Sequence, residues 1–305
     1  MSAIPEPADA LWRRICEWLV YPLFMTTGLV SLQMAMARGY DPLLALAAIN
    51  TAVTIAVIGF EQLTPHLRSW NRLHGDLVTD IIHGLMTLIA VPLALEAALM
   101  AGMHLAATGL TDALGYSLWP SDWPVSAQLV LALVLAEFGQ YWLHRALHEV
   151  PVLWRWHAVH HSAPRLYWLN GARAHPLEVA ANYMVGVVVL VLLGVPEVPL
   201  TLYLLFAGTN TAFQHSNVRM RIGWLSRLCS QAELHRWHHS QDVAEANANY
   251  GIVLSVWDVV FGTWFLPRDR PPPEKPGIGD MPDFPRGYLG QFLAPFRWRR
   301  LRRDP

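Results

Sequence analysis

Eight of the fourteen histidines stand in three clusters: His144-x-x-x-His148, His157-x-x-His160-His161 and His235-x-x-His238-His239. Residues three or four apart share one face of a helix, so each cluster can present its imidazoles together. Neutral imidazole ligates iron, zinc, copper and nickel. Eight imidazoles are too many for one ion and suit two. No cluster contains cysteine, which argues against an iron–sulfur or zinc-finger site. The repeated His-x-x-His-His spacing is not explained by histidines placed on an interfacial helix for pH sensing. Two single histidines are further candidates for a metal shell or its supporting hydrogen bonds. They are His175 in Arg173-Ala174-His175-Pro176-Leu177-Glu178 and His215 in Gln214-His215-Ser216-Asn217. Asn217 is a candidate polar group of the same site. Glu137 lies about two helical turns before His144 on roughly the same face. His83 reads as a satisfied interfacial group, and His66 and His74 as solvated loop residues.

These side chains need a scaffold, and the composition says what kind. The chain has 305 residues, 53% of them hydrophobic and only 15% charged, with a mean hydropathy of +0.27. That is too apolar for an ordinary soluble domain and points to an all-α polytopic membrane protein. Four main spans are expected at residues 21–37, 43–60, 78–103 and 125–143, each near the 20 or so residues that cross a bilayer. Pro92 should kink the third. A further apolar run, 177–213, is broken by Gly194-Val195-Pro196-Glu197-Val198-Pro199 and reads as a membrane hairpin. With the N-terminus in the cytoplasm, only Arg38 of the 22 basic residues falls outside. The reverse orientation violates the positive-inside rule. In this topology all three clusters, His175 and His215 reach the cytoplasmic side as a helical cap, and His104 alone lies outside.

The organisation expected is an N-terminal transmembrane hairpin and loop (1–75), a catalytic region (76–266) and a Pro-rich, basic tail (267–305). The stretch 268–277 reads as extended, and 292–303 mixes aromatics with arginines as a membrane-surface segment does. Residues 1–10 lack the basic start of a cleavable signal, so no processing is expected. Cys16 and Cys229 read as free thiols. No phosphate-binding glycine loop, no internal repeat beyond the His-x-x-His-His pair and no nucleic-acid partner is expected.

The three histidine boxes, in this order and with a membrane hairpin between the second and third, resemble the fatty acid hydroxylase/sterol desaturase superfamily. The likeness runs over roughly residues 76–265. It includes Tyr141-Trp142-Leu143-His144-Arg145, Trp154-Arg155-Trp156-His157-Ala158-Val159-His160-His161-Ser162 and Ala174-His175-Pro176-Leu177-Glu178. Gln214-His215-Ser216-Asn217, Asn249-Tyr250-Gly251 and Trp257-Asp258-Val259-Val260-Phe261-Gly262-Thr263 extend it. These stretches look like the family's bacterial members. The resemblance implies an integral membrane non-haem di-iron oxygenase. It carries the metal role to His144, His148, His157, His160, His161, His235, His238 and His239, and to His175 and His215 by their His-Pro and His-Ser contexts. Family members usually have aspartate seven residues before the first box histidine. This chain has Glu137, which keeps the carboxylate and lengthens its reach, in a supporting role.

Such an enzyme uses O₂ and external electrons to hydroxylate or desaturate a C–H bond of a lipid-type substrate taken from the bilayer, such as a fatty acyl chain, sterol or hopanoid. No flavin, haem or nicotinamide motif is evident, so a ferredoxin, rubredoxin or cytochrome b5-type donor is expected at the arginine-rich cytoplasmic face. A bacterial inner membrane is the expected location. Other classes remain open. A zinc lipid hydrolase usually needs a mononuclear site with an open position, which this many histidines overfill. A metal transporter favours ligands within the spans. A bis-histidine haem protein does not suit the adjacent His-His pairs.

Overall fold

The computed structural model describes residues 11–301, without the side chains of 97, 99–101 and 104. The expectation of an unprocessed N-terminus, the His104 side chain and the last two arginines of the basic tail lie outside the described residues. Helix α1 (Leu11–Ala37) and helix α2 (Pro42–Leu63) form the first pair. Asp41 caps α2 by accepting the Leu44 N–H at 2.8 Å, and Pro42 takes the first position, where no N–H is needed. Leu23, Val30, Leu43, Leu44 and Ile55 of this pair are exposed. In a bilayer those side chains meet acyl chains rather than water.

The third span is longer than expected. Helix α3 (Leu77–Leu85), a π-turn (Met86–Ala90) and helix α4 (Val91–Leu114) run on continuously to Gly115, whose φ of 75° supplies the left-handed cap. The break expected at Pro92 takes the form of that π-turn. Pro92 has no N–H for the carbonyl four residues back, and the wider turn absorbs the defect. Helix α5 (Val125–Glu149) is the fourth span, and helix α6 (Pro151–His161) follows almost directly. Among the described residues, four helices are long and apolar enough to cross a membrane.

The hairpin is present. Helix α7 (Pro176–Tyr183), a second π-turn (Met184–Val188) and helix α8 (Val189–Leu192) make its first arm; helix α9 (Glu197–Gln214) makes its second. Gly194, at φ 81°, turns the chain between them. At 1.5 Å per residue each arm spans about 26 Å, short of the roughly 30 Å hydrocarbon core. Helix α9 packs on α1, α2 and α5 and is the central post of the bundle. Beyond it, short helices α10 (Ala232–His238), α11 (Val243–Ala246) and α12 (Val256–Val260) form a cap. Among the described residues there is no strand, only the isolated bridges Pro65–Val218 and Cys229–Leu254. Cys16 and Cys229 are free thiols.

The Pro-rich stretch is irregular, yet it is not a loose tail. Trp70 Nε1 donates to the Glu274 carbonyl at 3.0 Å, and Gly277 N–H donates to the His239 carbonyl at 3.3 Å. After helix α13 (Tyr288–Leu293), Trp298 is buried with Met281 and Phe284 against Ala158 and Val159 of α6. Those large apolar side chains are what fold the segment back over the cap.

Candidate metal centre

Helix α5 carries His144 and His148 one turn apart. Helix α6 carries His157, His160 and His161. Helix α10 carries His235 and His238, with His239 at its end, and His215 follows the last turn of α9. Together they make two adjoining groups of four. His144, His148, His157 and His238 form the first, and His160, His215, His235 and His239 the second; within each, one nitrogen per ring lies within 4.8 Å of all the others. The groups touch across the His157–His160 pair, with ring centroids 5.1 Å apart.

The hydrogen bonds fix which nitrogen faces inward. In the first group His144 Nδ1 donates to the Tyr250 carbonyl at 2.6 Å and His238 Nδ1 to the Ala248 carbonyl at 2.8 Å. His157 Nδ1 meets Glu178 Oε1 at 2.7 Å and His148 Nδ1 meets Asn247 Oδ1 at 3.3 Å. In the second, His160 Nδ1 donates to the Arg173 carbonyl at 3.0 Å and His215 Nδ1 to Asn170 Oδ1 at 3.2 Å. A neutral ring whose Nδ1 carries the proton turns a bare lone pair inward at Nε2.

The Nε2 atoms of the rings face one another. His144 and His157 Nε2 are 2.9 Å apart, His235 and His215 Nε2 2.7 Å, and His239 and His235 Nε2 3.0 Å. His144 and His157, each with its Nδ1 proton held by an outer acceptor, bring two bare nitrogens together, and these repel unless a cation lies between them. The roughly 2.0–2.1 Å bonds of imidazole to zinc, set at right angles, would place neighbouring nitrogens about 3 Å apart. His148 Nε2 is also buried without a partner among the described residues. Burial, reinforced by repulsion between the rings, holds His157, His161, His215, His235, His238 and His239 well below the usual imidazole pKa; burial lowers His160 as well. Neutral rings are what a metal requires. The donor set therefore fits two first-row metal ions.

Two cavities flank the groups. One of about 250 Å³ opens among the first π-turn, α5, α7 and α9 and is lined by His144, His157, His160, His215 and His235 together with Leu88, Val179 and Ile252. The other, about 360 Å³, lies beneath the C-terminal segment and reaches His148, His161 and Trp154. A group bound on the membrane side would thus meet the histidines from one face, and the cap would reach them from the other.

The fatty acid hydroxylase family matches residues 129–263, which hold every histidine of both groups. An ornithine lipid hydroxylase of Rhizobium tropici is 38% identical over 286 residues, covering 91% of this chain and 83% of its own. The chain belongs to the fatty acid hydroxylase family. It shares 28% identity over 155 residues with human alkylglycerol monooxygenase, half of this chain and a third of that one. It shares 27% over 146 residues with a methylsterol monooxygenase of Arabidopsis thaliana, 47% of this chain and 54% of that one. No solved structure matches the chain significantly. With monooxygenases and lipid hydroxylases as its relatives, this family member is an oxidoreductase acting on lipid, and its metal chemistry is that of an iron-dependent oxygenase family.

Within this fatty acid hydroxylase the expected site residues fall in different places. His161 belongs to neither group of four, but its Nε2 is 3.2 Å from that of His238 and its ring stacks on His239. His175 lies outside both groups. As the cap of α7 its Nδ1 accepts the Leu177 N–H at 3.1 Å, and its Nε2 donates to the Phe292 carbonyl at 3.2 Å. The following Pro176 was the signal, since proline marks the first helical position and leaves the residue before it as cap. Asn217 also lies apart from the histidine groups. Its amide is spent on Leu67 N–H, the Leu67 carbonyl and Asn71, tying down the loop after α2. Glu137 accepts from Ile252 and Val253 N–H at 2.6 and 2.9 Å and so steadies the loop whose Tyr250 carbonyl holds His144. His83 is satisfied, though deep: it lies between the Ala174 carbonyl and Gln291. His66 is half-buried, not solvated, and His74 is exposed.

Several contributors were not singled out from sequence. Glu178, Asn170 and Asn247 each bond a grouped histidine. Arg173, buried, gives its carbonyl to His160 while its guanidinium pairs with Asp80 at 2.6 Å, and Tyr167 donates to the same carboxylate at 2.8 Å. A carboxylate such as Glu178 or Asp80 within an apolar helix was itself a signal, because an ionisable group there is costly and needs a partner.

Proposed function

We propose that this protein is a di-iron hydroxylase of an amino-acid-headgroup lipid of the ornithine lipid kind. The observation that carries it is the pair of inward-facing, neutral imidazole groups beside a cavity between membrane helices. The relative of 38% identity over 91% of the chain, an ornithine lipid hydroxylase, supports the substrate class. His144, His148, His157 and His238 hold one iron and His160, His215, His235 and His239 the other, with His161 beside His238. When bound, the irons supply O₂ activation, so that R–H + O₂ + 2 e⁻ + 2 H⁺ gives R–OH + H₂O. The chain's residues do the rest. Glu178, Tyr250 and Ala248 fix the proton of three first-group rings at Nδ1. Glu137 fixes the 250–254 loop, and the apolar cavity wall excludes water and seats the lipid. Electrons come from a one-electron carrier of the ferredoxin, rubredoxin or cytochrome b5 type, docking at the basic cap. The positive-inside count supports a bacterial inner membrane with both termini and the cap cytoplasmic.

The test is direct. Purified protein loaded with ferrous iron, given a reduced donor and ornithine lipid in nanodiscs, should consume O₂ and add one oxygen atom to the lipid by mass. Loading with zinc should leave the lipid unchanged. Lipid turnover with zinc and without O₂ uptake would replace this reading with a hydrolase.

A further inference from the structure

The cavity that reaches the histidines holds three polar side chains with something left over. Gln140 Oε1, Asn182 Oδ1 and Glu178 Oε2 are each buried with no hydrogen-bond partner among the described residues, and all three residues line the same cavity. Buried polar atoms in folded proteins are almost always paired, so three unpaired in one cavity indicate a missing partner. Their remaining chemistry is of one kind. Asn182 donates from its amide nitrogen to the Glu178 carbonyl at 3.3 Å, and its Oδ1 accepts from no group among the described residues. Glu178 has given Oε1 to His157, leaving Oε2. Gln140 presents its own Oε1. Glu178 and Asn182 are four apart on α7 and share a face. Among the described residues no lysine or arginine lines the cavity.

We propose that these three acceptors form a subsite for a primary ammonium on the substrate's head group. Three acceptors, one of them a carboxylate oxygen, match the three N–H donors of an ammonium. A phosphate or carboxylate head group would meet only acceptors of its own sign. A quaternary ammonium has no N–H to give. Thr87 adds one more unpaired oxygen to the cavity, from the first π-turn, and Asn182 stands just before the second. Such π-turns are frequent at functional sites. Glu178 touches both the subsite and His157, so a head group held there brings its own carbons to the histidines, ahead of the distant acyl end. This assignment rests on the lipid-hydroxylase reading and deepens it.

Binding separates the two. Iron-loaded protein in phosphatidylglycerol nanodiscs is titrated with ornithine lipid and with the analogue whose side-chain amine is trimethylated, which keeps the charge and loses the donors. The expected preference for the free amine is about 10-fold or more, the scale of hydrogen bonds to a charged group. Asn182→Leu and Gln140→Leu should erase the preference with iron content unchanged, and Asn182→Asp, which keeps an acceptor, should retain it. Equal binding of the two lipids by the unaltered protein overturns the subsite, as does a preference that survives both leucine variants. A preference without O₂ uptake leaves the subsite standing and sinks the oxygenase reading instead.

Discussion

The two histidine groups share α6 and α10 but differ in their third support, α5 for the first and the end of α9 for the second, and they are held differently. In the first, all four outer nitrogens are engaged, by Tyr250, Asn247, Glu178 and Ala248. In the second, only His160 and His215 are; the Nδ1 atoms of His235 and His239 are buried without a partner among the described residues. An outer hydrogen bond fixes the tautomer and aims the ring, and a carboxylate partner raises its basicity. The first group is therefore preset and the second must settle around its ion. One iron should be held tightly and the other should exchange.

The comparison breaks most completely if a ligand is removed. His238→Ala in the first group or His160→Ala in the second should abolish hydroxylation and lower iron content while membrane insertion persists; full activity in either would take that ring out of the metal shell. Next in size, Asp80→Ala removes the partner of buried Arg173, whose carbonyl aims His160. Breaking such a pair costs about 3–5 kcal/mol, read as a fall in unfolding midpoint, and the iron lost should be that of the second group. Glu178→Gln should weaken iron at the first group by roughly 10–100-fold, the usual effect of losing an outer partner, measured by competition with a chelator. Unchanged affinity would mean that His157 is aimed by packing alone.

The last test is pH, which acts on both groups at once. The rings outside the spans have folded pKa values lowered by burial. Above the unfolded value of about 6.5 both states are neutral and pH has no leverage. Below it the unfolded chain takes up protons that the folded chain refuses, so stability falls by about 1.4 kcal/mol per pH unit for each proton of difference. The unfolding midpoint of iron-depleted protein should drop between pH 7 and 5.5, and a rise would contradict neutral rings.

Much of this was legible in the sequence because it follows from local periodicity. The apolar runs gave the spans, and Gly194 with Pro196 gave the hairpin turn. Helical spacing placed each cluster's histidines on one face. What spacing cannot say is which centre a ring serves. His157 and His160 are about 4.5 Å apart along the axis of α6, enough to put them in different groups, and α10 likewise splits His238 from His235 and His239. The division cuts across the boxes because it depends on how α5, α6 and α10 pack. The same holds for His175 and His215, two lone histidines that only tertiary partners distinguish. The C-terminal stretch misled for a related reason: proline content predicts irregular backbone, and it says nothing of Trp298 finding a buried place beside α6.

The central claim is that the eight grouped histidines hold two irons. Elemental analysis with Mössbauer spectroscopy on iron-57-grown, detergent-purified protein tests it most directly. The account predicts about two irons per chain in a coupled, nitrogen-rich site, one of them lost first to a mild chelator. One zinc per chain and no iron, even after anaerobic reconstitution, would contradict it.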